Sequence, residues 1–227
     1  ILEYPSGTEV YDWVIPDEWS VKDAWIKSEN GNKIIDFHKS NIHLVSYSKP
    51  IKKLISFEEL KPHLHCHPDL PEAIPYRTSY YKRDWGFCVT HAQYNILKNT
   101  KGLLKVCIDS DFDESGSLSI GEIVIPGKTK KEILISTYFC HPSMANDNLS
   151  GLILTAFLAK EILNGNLREH TWRIIFVPET IGAISYCFYN EDKMKNINSA
   201  LVLSTVGGKG AMGFKRSFDS DHPINYF

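Results

Sequence analysis

No two cysteines in this sequence have the CxxC spacing, and the five present (Cys66, Cys88, Cys107, Cys140 and Cys187) are odd in number and widely scattered. That excludes a regular disulfide framework and predicts reduced, mostly buried thiols in a cytoplasmic protein. Charge of one sign is also missing, since 25 Lys and Arg stand against 27 Asp and Glu for a formal net charge of -2. With no basic stripe and no polybasic block, neither nucleic acid nor an anionic membrane is an expected partner. No apolar run approaches the roughly 20 residues that span a bilayer. Internal repeats and low-complexity tracts are absent. The chain opens Ile1-Leu2-Glu3-Tyr4-Pro5-Ser6-Gly7, without methionine or a signal-peptide pattern, and closes Asp221-His222-Pro223-Ile224-Asn225-Tyr226-Phe227, without a helix or tail signal. It therefore reads as cut from a longer chain at both ends. Nothing in the sequence sets the oligomeric state.

What is present is ordinary for a soluble globular protein: 43% hydrophobic and 23% charged residues over 227 positions, enough for one large domain or two modest ones. Residues 5–95 are rich in aromatics, prolines and short alternating segments and read as a β-rich module. Asp12–Pro16, Asp23–Lys27, Lys33–Phe37 and Ile42–Ser48 are its expected strands. Glu29-Asn30-Gly31-Asn32 is an expected hairpin turn, because Asn-Gly tolerates the positive φ such turns need. Ser56 before Phe57-Glu58-Glu59-Leu60 predicts a helical turn.

Residues 96–227 have a different texture. Strands are expected at Leu103–Ile108, Leu118–Ile125, Ile133–Phe139, Trp172–Pro178 and Ala200–Leu203. Helices are expected at Leu149–Leu163, with Asn164-Gly165-Asn166 as the stop, and at Ile181–Tyr189. Strand, helix, strand, helix, strand predicts an α/β core with a doubly wound, mostly parallel sheet covered on both faces.

The most informative stretch begins where the apolar strand Glu132-Ile133-Leu134-Ile135-Ser136-Thr137 ends. It delivers His141 at its carboxyl end, then Asp147 between Asn146 and Asn148, then Leu149-Ser150-Gly151 and a helix. Imidazole and carboxylate six positions apart, at a strand-to-helix crossing, form a first-row metal pair where open α/β sheets bind ligands. Glu179 follows the next strand, in Val177-Pro178-Glu179-Thr180-Ile181-Gly182, so the three side chains are expected to meet in one crevice. Zinc suits such donors and lowers the pKa of its bound water, and a carboxylate beside that water acts as general base. The competing reading of the same residues is a helix-capping Asp147 and a solvated Glu179.

Cys140-His141, Ala145-Asn146-Asp147-Asn148-Leu149-Ser150-Gly151 and Pro178-Glu179-Thr180-Ile181-Gly182 together resemble the co-catalytic zinc aminopeptidases. Ser6-Gly7, Asp12-Trp13, Ile74-Pro75-Tyr76, Thr78-Ser79-Tyr80-Tyr81, Trp85-Gly86-Phe87-Cys88 and Cys140-His141-Pro142-Ser143 narrow that resemblance. They match a bacterial branch of polysaccharide-biosynthesis proteins with an aminopeptidase-like domain, over nearly the whole chain. The resemblance implies a zinc-peptidase-like core with the β-rich module inserted near its start. It implies one or two zinc ions, His141 as a terminal ligand, Asp147 as the bridging ligand and Glu179 as the general base. Three positions depart from the peptidase pattern, because carboxylates expected there appear as Ser143, Thr180 and Ser204. Each of two metal sites thus loses one ligand. One zinc held by His141, Asp147 and a later residue is the remaining expectation, and Ser220-Asp221-His222 offers His222 as a spare ligand.

Other candidates are weaker. His63-Leu64-His65-Cys66-His67 has the composition of a metal tract but no second cluster near it. Asp109 to Gly116 hints at a calcium loop, but its glycine and terminal glutamate positions do not fit, and it reads as a solvated acidic hairpin. Tyr76, Tyr80, Tyr81, Trp85 and Phe87, with Arg77, Lys82 and Arg83, fit either a module core or a sugar-stacking surface. Gly207-Gly208-Lys209-Gly210 is not a phosphate-binding loop. The function expected is metal-dependent hydrolysis of an amide bond in a small peptide. The alternatives are an amidase or deacylase acting on an aminoacylated or N-acylated sugar intermediate, and a non-catalytic binding module on a peptidase fold.

Overall fold

In the computed structural model, residues 1–165 and 168–226 are described. Asn166, the last residue of the expected helix stop, lies outside the described residues. In chain order the first half forms β1 (Leu2–Pro5), β2 (Glu9–Val10), β3 (Trp13–Val14), β4 (Glu18–Ser28), β5 (Lys33–Asp36), β6 (Ile51–Ile55), helix α1 (Phe57–Leu60), β7 (Leu64–His65), β8 (Phe87–Cys88) and helix α2 (His91–Asn99). The second forms β9 (Leu104–Asp113), β10 (Ser117–Ile125), β11 (Thr129–Phe139), α3 (Gly151–Asn164), β12 (His170–Pro178), α4 (Ile181–Tyr189), α5 (Glu191–Met194) and β13 (Ile197–Val202). Among the described residues no helix is long and apolar enough to cross a membrane.

Two compact units result. One comprises Ile1–Ile15, Ser117–Cys140 and Met144–Phe227; the other comprises Pro16–Gly116 with His141–Ser143. The boundary drawn at residues 95 and 96 therefore falls inside the second unit. Strand pairing is the cause: β1 pairs with β10, while β9 pairs with β4 and β6.

The β-rich unit carries the four-stranded sheet β5-β4-β9-β6. On β9 the buried residues Leu104, Val106, Ile108 and Ser110 alternate with more exposed neighbours, the period-two pattern of a strand with one face on a core. Ile26, Ile35, Leu60, Phe87 and Leu97 complete that core. The Asn-Gly turn forms as expected, with Gly31 at φ +88° and its N–H donating to Ser28 O at 2.9 Å. Ser56 caps α1 in a reciprocal arrangement with Glu59.

Ile42–Ser48 is not a strand. A 3-10 turn occupies Asn41–His43, and single bridges follow at Leu44 and Ser46. Local side-chain bonds compete with extended pairing here: His43 Nδ1 lies 2.7 Å from Cys88 O, Ser48 Oγ donates to Val45 O, and Tyr47 sits at φ +64°. Nor is Asp109–Gly116 a hairpin. Ser115 donates to Asp113 Oδ1 from both its N–H and its hydroxyl, and the two flanking strands, β9 and β10, pair with different sheets.

The α/β unit is built on the five-stranded sheet β1-β10-β12-β11-β13. β12, β11 and β13 run parallel, whereas β10 pairs antiparallel with both β12 and β1, so the sheet is mixed where a mostly parallel one was expected. Side-chain alternation places the helices. Trp172, Ile174 and Phe176 pack with Leu154, Leu158, Ala159 and Ile162 of α3. Ile175 and Val177 pack with Ile181, Ile184 and Tyr186 of α4. Odd and even residues of β12 point to opposite faces, so α3 covers one and α4 the other. On α3 the buried positions are Gly151, Thr155 and Ala159, while Leu163 near its end is exposed.

A buried ionic clamp joins three strands. Arg173 of β12 donates to Glu132 of β11 from Nη2 at 2.9 Å and to Glu122 of β10 from Nη1 at 2.6 Å. Tyr186 also donates to Glu122, and burial pushes its phenol well above the ordinary range. Burial works against the Glu122 carboxylate, but the bonds from Tyr186 and Arg173 outweigh it and hold its pKa below the ordinary 4.5. None of the five cysteines is in a disulfide, though only Cys88 is fully buried, its thiol pushed up to about 12 by that burial.

Arg173→Ala strands two carboxylates and should lower stability by about 3–5 kcal/mol in urea unfolding. Because Glu122 titrates lower in the folded state, its contribution is complete above 4.5 and disappears as pH falls through the depressed value. Glu122→Gln should therefore flatten stability against pH in that acidic window and leave the slope near neutrality unchanged.

Candidate metal centre

The carboxyl ends of β11, β12 and β13 lie side by side, the position at which parallel strands of an open sheet present loops to a ligand. Phe139 is in register with Pro178, and Glu179 N–H donates to Phe139 O at 2.9 Å. Leu203 N–H donates to Ser136 O at 2.9 Å. The exits therefore carry Cys140 and His141, then Glu179, then Ser204.

The Asn146–Ser150 loop is fixed by its two asparagines. Asn148 is fully buried, and its amide donates to Tyr138 O at 2.8 Å and to Thr137 Oγ1 at 3.1 Å. Its Oδ1 accepts from Thr205 N–H at 3.0 Å. Asn146 Oδ1 accepts from Gly207 N–H at 2.8 Å. Gly151 is required by close approach, since a Cβ there would stand 2.4 Å from Asn148 Oδ1 and 2.5 Å from Leu203 O. The Asp147–Asn148 peptide is cis.

Between these braces Asp147 is exposed, and Tyr138 Oη donates to its Oδ1 at 3.0 Å. Tyr138 and Ser204 share a second bond at 2.7 Å. Burial raises the Tyr138 phenol, and the Asp147 and Glu179 charges add to the effect, so Tyr138 remains a protonated donor. His141 Nδ1 lies 3.0 Å from Pro142 O. The His141 ring lies 5.0 Å from that of Tyr76, and Ser143 Oγ donates to Asn41 Oδ1 at 2.6 Å.

One donor group results. Ligand atoms of Cys140, His141 and Asp147 all lie within 4.8 Å of one another, the only such group of three or more among the described residues. Thiolate, imidazole and carboxylate are the three ligand types zinc takes, so the donor set fits that ion. His141 and Asp147 are thus brought together as the sequence predicts. Glu179 is exposed at the adjacent strand end. It leads a γ-turn in which Ile181 N–H donates to Glu179 O at 2.7 Å and Thr180 sits at φ +63°, ψ -74°.

His222 is placed elsewhere. Its Nε2 contacts Asn198 O at 3.0 Å, near the amino end of β13, and its Nδ1 accepts from Ile224 N–H at 3.2 Å. Both ring nitrogens are engaged, and the strand ends that carry the donor group are the opposite ones. The His63–His67 tract is also structural: His63 Nδ1 contacts Trp85 O at 2.9 Å, and His67 Nδ1 accepts from Asp69 and Leu70 N–H. Of the aromatic cluster, Phe87 is core, Trp85 stacks on His63 at 3.8 Å, and Tyr80 and Tyr81 are exposed. Sequence reasoning missed Cys140 and Tyr138. A thiol directly before the strand-end histidine was the available signal for the first; the second depends on a contact with Ser204, 66 positions away.

A family described as a domain of unknown function, DUF4910, matches residues 1–226. The chain belongs to the DUF4910 family. A relative from Clostridium acetobutylicum is 46% identical over 225 residues, 99% of this chain and 51% of its own length. It bears the provisional name of polysaccharide biosynthesis protein with an aminopeptidase-like domain. A crystal structure of a provisionally named peptidase from Clostridium acetobutylicum superposes with a TM-score of 0.94 at 44% identity, covering 99% of this chain and 52% of that one. This DUF4910 chain thus spans about half the length of those relatives. BSAP, a zinc aminopeptidase from Bacillus subtilis, gives a TM-score of 0.56 at 12% identity, over 85% of this chain and 57% of that one, which is a likeness of fold.

Asn148→Ala removes bonds to both the β11 exit and the segment after β13. Unfolding in urea should show a loss of about 1–3 kcal/mol, the cost of leaving buried partners unpaired.

Proposed function

We propose that this DUF4910 chain carries the centre of a zinc-dependent hydrolase that cleaves an amide bond. The observation that carries the reading is the meeting of His141 and Asp147 ligand atoms at the end of β11, one strand from Glu179. Bound there, zinc supplies Lewis-acid polarisation of the scissile carbonyl and a water of lowered pKa. His141 and Asp147 would hold the ion, and Tyr138 orients the Asp147 carboxylate. Glu179 takes a proton from the attacking water at a carboxylate oxygen and returns it to the leaving nitrogen as the C–N bond breaks. The strained γ-turn at Thr180 fixes the backbone from which Glu179 projects.

The substrate class supported best is an aminoacylated or N-acylated sugar intermediate, because the Clostridium relative is named for polysaccharide biosynthesis. A small peptide is the second candidate, on the fold shared with BSAP. Ser143, Thr180 and Ser204 at positions where carboxylates are expected favour the remaining possibility, a binding module without turnover.

Elemental analysis of purified protein should find zinc, lost in His141→Ala. Glu179→Gln should retain the metal and lose roughly 10²–10⁴-fold in turnover against a panel of aminoacyl and N-acyl amino sugars. Full metal stoichiometry in His141→Ala, or unchanged turnover in Glu179→Gln, would refute the assignment. Zinc binding with no turnover on any panel member would instead support the binding module.

A further inference from the structure

We propose that Cys140 is a zinc ligand, so that one ion is held by Cys140 Sγ, an imidazole nitrogen of His141 and a carboxylate oxygen of Asp147. The inference rests on the metal reading above and replaces an Asp147-bridged pair of ions with a single thiolate-bearing site.

Geometry comes first. In a tetrahedral zinc site, bonds of about 2.0–2.3 Å place neighbouring ligand atoms roughly 3.3–3.7 Å apart. The three donors already lie within 4.8 Å of one another, so side-chain adjustments of about an ångström close the site. Consecutive residues of a strand point to opposite faces, which would separate Cys140 from His141. β11 ends at Phe139, however, and the backbone bends at His141, so the strict alternation of a strand no longer applies to this pair. The contact of His141 Nδ1 with Pro142 O is the kind of outer bond that orients the ring of a metal-bound histidine.

Charge and donor supply then limit the site to one ion. A thiolate and a carboxylate neutralise one Zn²⁺, with the Cys140 S–H proton passing to solvent as the S–Zn bond forms. A second ion would depend on Asp147 and Glu179 without further carboxylates. The three positions that would supply them are hydroxyls: Ser143 is bonded to Asn41, Ser204 to Tyr138, and Thr180 is centred in the γ-turn. Three protein ligands and one open position are the pattern of catalytic zinc, and a thiolate selects zinc over magnesium or calcium.

Cobalt(II) titration of the chelator-stripped protein tests this. A near-ultraviolet thiolate-to-cobalt charge-transfer band should grow and saturate at about one cobalt per chain. Cys140→Ser should lose the band, Cys140→Asp should bind cobalt without it, and Cys187→Ser, at an exposed cysteine, should keep it. If Cys140→Ser fails to fold by circular dichroism, the unsubstituted chain answers the same question: zinc should protect Cys140 from iodoacetamide, as read by mass spectrometry, and alkylation unchanged by bound zinc would count against the ligand. Saturation at two ions, an intact band in Cys140→Ser, or cobalt bound without any band overturns the Cys140 assignment and leaves a metal site standing. No binding of cobalt or zinc overturns both.

Discussion

The site depends on the buried amide of Asn148. A single side chain donates to the last residues of β11 and accepts from Thr205 beyond β13, so the loop between β11 and α3 cannot move relative to either strand end. In a buried environment each of those bonds is costly to break, because the partner left behind has no water to turn to. Asn146 does the same for Gly207 from the other side of Asp147. Aspartate at either flanking position would offer no N–H to the carbonyls, so the Asn-Asp-Asn order divides the work: two amides hold the loop and one carboxylate is presented for chemistry.

Hydroxyls stand where the peptidase resemblance expects carboxylates, and two of them have defined structural partners. Ser204 bonds to Tyr138, which in turn donates to Asp147. A position where a carboxylate was expected instead helps, through Tyr138, to orient the Asp147 carboxylate. Ser143 is drawn to Asn41. Fewer carboxylates also means less mutual repulsion around the donor group, so the group does not need a second cation to be stable.

Much of this was legible from local pattern. Buried parallel strands read as apolar runs, and β11 and β12 did so clearly; the residues at their exits then indicated chemistry by type. The antiparallel edge was not legible, because β1 and β10 pair across more than a hundred residues and no local period records a partner. β9 has the alternation of a half-buried strand whichever sheet it joins, so its membership could not be assigned. Helix α2 was overlooked for want of an apolar stripe, although Thr90 and Gln93 form a capping box at its start. Cys140 escaped because strand periodicity argues against two adjacent donors on one side, and the end of β11 at Phe139, which lifts that alternation, is not marked in the apolar run.

The position of the ionic clamp explains how this sheet can carry a demanding site. Arg173 and Glu179 lie on the same strand and its exit, six residues apart, or about 20 Å at the rise of an extended chain. The clamp ties β10, β12 and β11 together near the amino end of β12, on the face covered by α4. At the carboxyl end the chain leaves the sheet, and the strain at Thr180 and the exposed carboxylates of Asp147 and Glu179 are concentrated there. Strained backbone and gathered negative charge lower stability wherever they occur, so they persist only where the surroundings hold them in place. Here the surroundings are the rigid centre of the sheet. The clamp lies within β12 and the candidate site at its exit, so substitutions at the exits leave in place the scaffold that presents them.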